Sequence, residues 1–150
     1  IHKFSSSIIR ENIKNGEMKK ANFALGRNWH MTGIIIEGDK RGRQIGFPTA
    51  NISLGNLIRP AFGVYAVLIE GIENKVFKGI ANIGKRPTVN DRGVLLEVNI
   101  FDFNDDIYGK KIFISLIDFI RDEKKFDGIE NLKEQIVMDV KLSESILEKA

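Results

Sequence analysis

VLLEVNIFDF, residues 94–103, carries Val94, Leu96, Val98 and Ile100 on one side and Leu95, Glu97 and Asn99 on the other. A side-chain period of two is the signature of a β-strand with one face on an apolar core. Four further runs have strand character: MTGIIIEG (31–38), GVYAVLIEG (63–71), VFKGIANIG (76–84) and KIFISLIDFI (111–120). Clusters of Gly, Asn, Asp and Lys separate them, as turns require. Five or six consecutive strands with no helix between them imply an antiparallel sheet, closed into a barrel.

The flanks have a different rhythm. Residues 5–26 read as two short helices that stop at Gly16 and Gly26, with Ile8, Ile9 and Ile13 as the apolar set of the first and Phe23 and Leu25 of the second. This stretch, residues 1–26, is expected to be a linker, and residues 27–150 the domain proper. The tail returns to helical spacing, with Leu132, Ile136, Val140 and Ile146 or Leu147 along one face that should pack on the barrel. Asp127, three residues ahead of Glu130, resembles a capping arrangement at that helix's start.

The chain has 150 residues, 43% of them hydrophobic and 29% charged, which suits one soluble globular domain. It holds no apolar run long enough to cross a bilayer. The absence of cysteine excludes disulfides, thiolate metal sites and thiol catalysis, and fits a reducing cytoplasm. A net charge of +3 favours anionic partners only weakly. The chain opens on Ile1 without the pattern of a secretory signal, and is expected to be a piece of a longer protein.

One segment gathers the requirements of phosphate chemistry. In GDKRGRQIGFPTAN, residues 38–51, Gly38, Gly42 and Gly46 let backbone N–H groups approach a polyphosphate, while Lys40, Arg41 and Arg43 offset its charge. After Pro48, Thr49 and Asn51 offer two neutral oxygens to a hard cation, on the same side of an extended chain. The same letters also describe a basic, glycine-rich hairpin loop ahead of a strand. Glu97 is a carboxylate in the middle of an apolar strand; facing a cleft it could take a proton from an alcohol, and facing solvent it could pair with a lysine across the sheet.

Two other motifs carry less. GIANIGK, residues 79–85, has the glycine and lysine spacing of a P-loop, but Arg86 and Pro87 follow where a Ser or Thr and a helix are needed. His2 and His30 have no companion at metal-ligand spacing, and no nucleophile elbow is present.

GDKRGRQIGFPTANI, GVYAV, GIANIGKRPTV, LEVNIFDF, DIYGKKI and FIRDEKKFD, in this order and spacing, resemble the successive blocks of bacterial riboflavin kinase. The resemblance runs from about residue 31 to 139. It implies a six-stranded antiparallel Greek-key β-barrel with a C-terminal helix, converting riboflavin and ATP to FMN and ADP with magnesium. Thr49 and Asn51 then match the magnesium and phosphate ligands, and Glu97 the general base. Residues 38–46 match a flap over the phosphates, Asn82 lies on the nucleotide side, and Arg121 and the segment to Phe126 help enclose the flavin. In this family the domain is usually the C-terminal half of a bifunctional enzyme, and Ser5-Ser6-Ser7-Ile8-Ile9-Arg10 resembles the closing block of its adenylyltransferase half. Residues 1–26 are by this comparison a remnant of that half, and FAD synthesis is not expected. Asn99 stands where many relatives carry histidine, and Lys85 where threonine is frequent.

Two alternatives differ in class. A nucleic-acid-binding barrel would want aromatics interleaved with cations on an exposed face, whereas Tyr65, Phe77, Phe101 and Phe103 fall in apolar runs. A flavin-binding module without catalysis would leave the joint presence of PTAN and Glu97 unexplained. No nucleic acid and no membrane are therefore expected as partners.

Overall fold

The computed structural model describes residues 6–36, 49–53, 59–85, 94–103 and 106–149. Two helices, α1 (Ser6–Lys14) and α2 (Met18–Leu25), precede six strands: β1 (His30–Ile36), β2 (Ala50–Ser53), β3 (Gly63–Ile72), β4 (Lys75–Lys85), β5 (Val94–Ile100) and β6 (Lys111–Arg121). A long helix, α3 (Ile129–Glu148), ends the chain. The strands close into an antiparallel barrel in the order β1-β2-β5-β4-β3-β6, with β6 returning to pair with β1. Within it β6-β3-β4-β5 is a Greek key: three hairpin-linked strands and a fourth that returns beside the first.

The alternation in residues 94–100 is realised. Val94, Leu96, Val98 and Ile100 are buried in the main core with Ile35, Ile52, Tyr65, Val67, Ala81 and Ile83, while Leu95, Glu97 and Asn99 are half-buried on the opposite, outward face. The P-loop-like stretch 79–85 is the end of β4, paired throughout with β5. Tyr65 fills the core with no exposed surface, stacks edge-on against Phe119 at 5.2 Å, and donates its hydroxyl to the Ala61 carbonyl at 2.6 Å.

β6 departs from simple alternation. Its pairing with β3 steps from Arg121↔Val64 to Phe119↔Tyr65, and from Asp118↔Ala66 to Leu116↔Val67, so Ile120 and Ile117 are extra residues. Each bulge reverses which face the next side chains take. Phe119 consequently packs against the inner core, whereas Ile117 and Ile120 join Ala66 and Leu147 in a second apolar cluster under α3.

Helix α3 buries the face anticipated from its spacing, with Leu147 in the second cluster and Ile146 packed beside it. Its cap differs: the N-cap is Gly128 with no side-chain cap bond, so Asp127 does not close a capping box. Two polar residues share the inward face. Ser143 donates to the Gly79 carbonyl at 3.0 Å, and Asp139 is 3% exposed.

Helices α1 and α2 stop near Gly16 and Gly26, both in the left-handed conformation that glycine adopts without strain. Their buried residues are Ile13, Met18 and Ala21, all members of the main barrel core, while Phe23 points outward at 80% exposure. The apolar letters Ile8 and Phe23 therefore misidentify the inward face. Two bonds tie the pair to the barrel: the N–H of Ala61, just ahead of β3, donates to the Ile13 carbonyl at 3.3 Å, and Asn22 Nδ2 donates to the Leu116 carbonyl of β6 at 3.0 Å.

Candidate functional site

The register of the barrel aligns the polar residues singled out by sequence. Asn51 of β2 pairs with Glu97 of β5, Glu97 with Asn82 of β4, Asn82 with Val64 of β3, and Val64 with Arg121 of β6. Cross-strand partners share a face, so Asn51, Glu97 and Asn82 stand side by side on the outside of the barrel. Neighbouring strands lie ~4.8 Å apart, which puts the backbone of Arg121 about 14 Å from that of Glu97, three strands along.

Asn51 is 4% exposed, one of few buried polar side chains among the described residues. Thr49, half-buried, directly precedes β2, and the alternation of that strand carried back one residue sets it on the Asn51 side. Two neutral oxygens so placed, next to a carboxylate, fit a hard cation that completes its shell with water and phosphate. No cluster of three or more His, Asp or Glu side chains suited to a metal occurs among the described residues.

Asn82 carries an anomaly. Its Oδ1 is buried and accepts no hydrogen bond. Buried polar atoms in folded proteins nearly always have a partner, so an orphan beside Glu97 marks a place where something else must supply a donor.

Arg121 is held rather than offered. Its Nε donates to Asp139 Oδ1 at 3.0 Å and Oδ2 at 3.1 Å, and its Nη2 donates to Oδ2 at 2.8 Å, while Nη1 donates to the Asp122 carbonyl at 2.9 Å. Gln135 Nε2 donates to the same carboxylate at 3.0 Å. The guanidinium lies 5.8 Å from the centre of the Phe126 ring. Arg121 thus ties β6 to α3 and fixes the start of the 122–126 segment; Phe126, half-buried, is positioned by the same group.

That segment also crosses β4. The carboxylate of Glu123 rests against Gly84, where any Cβ would collide with it. Gly84 shares the outward face of Asn82, so Glu123 comes down on the sheet one row from Glu97. Asp139, Gln135 and Glu123 were not anticipated. Asp139 had a signal, since a carboxylate on the inward face of a helix demands a cation; Glu123 had none, because its contact depends on the path of a loop.

Gly38, Lys40, Arg41, Gly42, Arg43 and Gly46, of the flap expected over the phosphates, lie outside the described residues, as do Pro48, His2 and the Ser5 of the N-terminal block.

Similarity to known proteins follows the same outline. The chain is 48% identical over 141 residues to a bifunctional riboflavin kinase/FMN adenylyltransferase of Bacillus subtilis, covering 91% of this chain and 44% of that protein. It is 43% identical over 143 residues to the protein of that name from Haemophilus influenzae, covering 95% of this chain and 46% of the other. The chain therefore spans about half the length of the curated relatives it matches. Among solved structures, one described as a macrolide-efflux protein from Streptococcus pneumoniae superposes with a TM-score of 0.86 at 40% identity, over 93% of this chain and 46% of that one. The riboflavin kinase from Trypanosoma brucei shares the fold, with a TM-score of 0.54 at 24% identity over 80% of this chain and 77% of that one. The family model described as Flavokinase, riboflavin kinase, matches residues 25–147, in agreement with the barrel and the relatives: the chain belongs to the riboflavin kinase family.

Proposed function

We propose that this chain transfers the γ-phosphoryl group of ATP to the terminal ribityl hydroxyl of riboflavin, giving FMN and ADP. The observation that carries the reading is the register that sets Glu97 between Asn51 and Asn82 on one face of the barrel. Phosphoryl transfer asks a protein to hold the alcohol in line with the γ-phosphate and to stabilise spreading charge. Glu97 receives the proton of the hydroxyl as its oxygen bonds to phosphorus, and the bond from phosphorus to the β,γ-bridging oxygen breaks with its electron pair leaving on ADP. Thr49 and Asn51 would hold magnesium, which when bound offsets the charge of the phosphates. Lys40, Arg41 and Arg43 of the basic segment 38–46 would supply further cations to the phosphates.

The isoalloxazine lies toward Phe126, whose ring and supporting segment are fixed by Arg121 and Glu123. Arg121 acts on the flavin by positioning this wall, since all three of its guanidinium nitrogens are committed to protein acceptors. Residues 1–26 are the end of a preceding adenylyltransferase half, of which helices α1 and α2 pack on the barrel core, and the parent enzyme is cytoplasmic. The adenylyl transfer that would convert FMN to FAD belongs to that half.

Incubation of the purified chain with riboflavin, ATP and magnesium, followed by chromatography, tests this. FMN and ADP in equal amounts without FAD are expected. A folded chain that binds riboflavin yet forms no ADP would overturn the reading in favour of a flavin carrier.

A further inference from the structure

The orphaned Oδ1 of Asn82 and its place in the row bear on substrate choice. The order along the face is Asn51, Glu97, Asn82, Val64, Arg121. In-line transfer puts the entering alcohol and the departing diphosphate on opposite sides of the transferred phosphorus. With the cation-binding oxygens of Asn51 and Thr49 on one side of Glu97, the phosphates arrive from there, and the alcohol arrives from the other side, where Asn82 stands. The flavin ring toward Phe126 and the reacting hydroxyl at Glu97 are ends of one molecule, so the polyol between them runs over Asn82.

The chemistry of the orphan atom agrees. Oδ1 is an acceptor and needs a donor; an ionised phosphate oxygen has no proton to give, whereas each hydroxyl of a polyol has one. We propose that Asn82 is a specificity-determining residue for the alcohol substrate, its Oδ1 accepting a hydrogen bond from the secondary hydroxyl next to the one that is phosphorylated. This rests on the kinase reading above. It departs from the nucleotide-side role that the family resemblance implies for Asn82, and the two assignments predict different kinetics. Val64, the next residue in the row, has an apolar side chain, so within the row the contact falls on Asn82.

The test pairs a variant with an altered substrate, using the full chain. Asn82→Ala should raise KM for riboflavin about tenfold, the scale of a lost hydrogen bond to a buried group, with KM for ATP changed less than about twofold. A riboflavin analogue lacking the ribityl 4′-hydroxyl should lose a similar factor with the unaltered chain and almost nothing more with Asn82→Ala, because the two changes delete the same contact. Asn82→Ser, which keeps an oxygen at the site, should fall between, and guards against a loss that only reflects folding. Independent, multiplying losses, or a rise in KM for ATP instead of riboflavin, would overturn the inference while leaving the kinase reading intact. No FMN from the unaltered chain would overturn both.

Discussion

Glu97 illustrates what a single residue in a strand can reveal. Its carboxylate stands out in VLLEVNI because the opposite face is wholly apolar, and the sheet delivers it to the side away from the core. Glu97→Gln is expected to lower turnover on the order of 10²-fold or more, the scale of general-base catalysis, with an unchanged melting temperature. Comparable turnover in the two proteins would remove Glu97 from proton transfer. Asn82 is the opposite case: its letter is ordinary, and only the fold leaves it an acceptor without a donor. Tyr65 has a consequence for pH. Burial, with the Asp122 carboxylate adding to it, pushes its phenol well above the ordinary value of 10.0. The folded state therefore holds the proton where the unfolded chain has released it, so stability is full below about pH 10 and falls as the pH rises beyond it. Urea midpoints measured from pH 8 to 11 should be flat at first and decline at the alkaline end, and Tyr65→Phe should reduce that decline.

At the scale of elements, periodicity found each long strand and the inward stripe of α3, because those follow from which residues must leave water. It could not find the bulges in β6. KIFISLIDFI reads as one uninterrupted run, yet Ile117 and Ile120 shift its register against β3 and turn Phe119 to the inner core, while Arg121, just past the second bulge, bonds Asp139 on the helix. The pair is little exposed, 14% and 3% by side chain. Removing one partner leaves the other charged and unsatisfied, so Asp139→Ala should cost ~3–5 kcal/mol in denaturant unfolding. It should also raise KM for riboflavin more than KM for ATP, since the 122–126 segment loses its anchor. A stability loss within experimental error would show that water replaces the carboxylate at little cost.

For the whole molecule, barrel closure was legible from strands without intervening helices, while the place of the N-terminal helices was not. Their letters suggest a tether, and hydrophobicity alone selects Phe23, which faces outward, over Met18 and Ala21, which do not. The deciding fact is tertiary: the barrel core continues into α1 and α2. Ile13, 1% exposed, should accordingly behave as a core residue, and Ile13→Ala should destabilise the entire domain by ~2–5 kcal/mol in one cooperative transition. A separate early transition confined to the helices would mean that they melt independently.

That continuity supplies the molecule with a built-in optical reporter. Trp29, the sole tryptophan, sits where α2 meets the barrel: its N–H donates to Asn22 Oδ1 at 2.8 Å, and its carbonyl accepts from the Leu116 N–H at 3.1 Å. Its indole packs half-buried against the core. Any event that lifts the helices, whether dilution into denaturant or the pull of a neighbouring domain, must wet that ring, and the red shift of its emission would record the separation without a label.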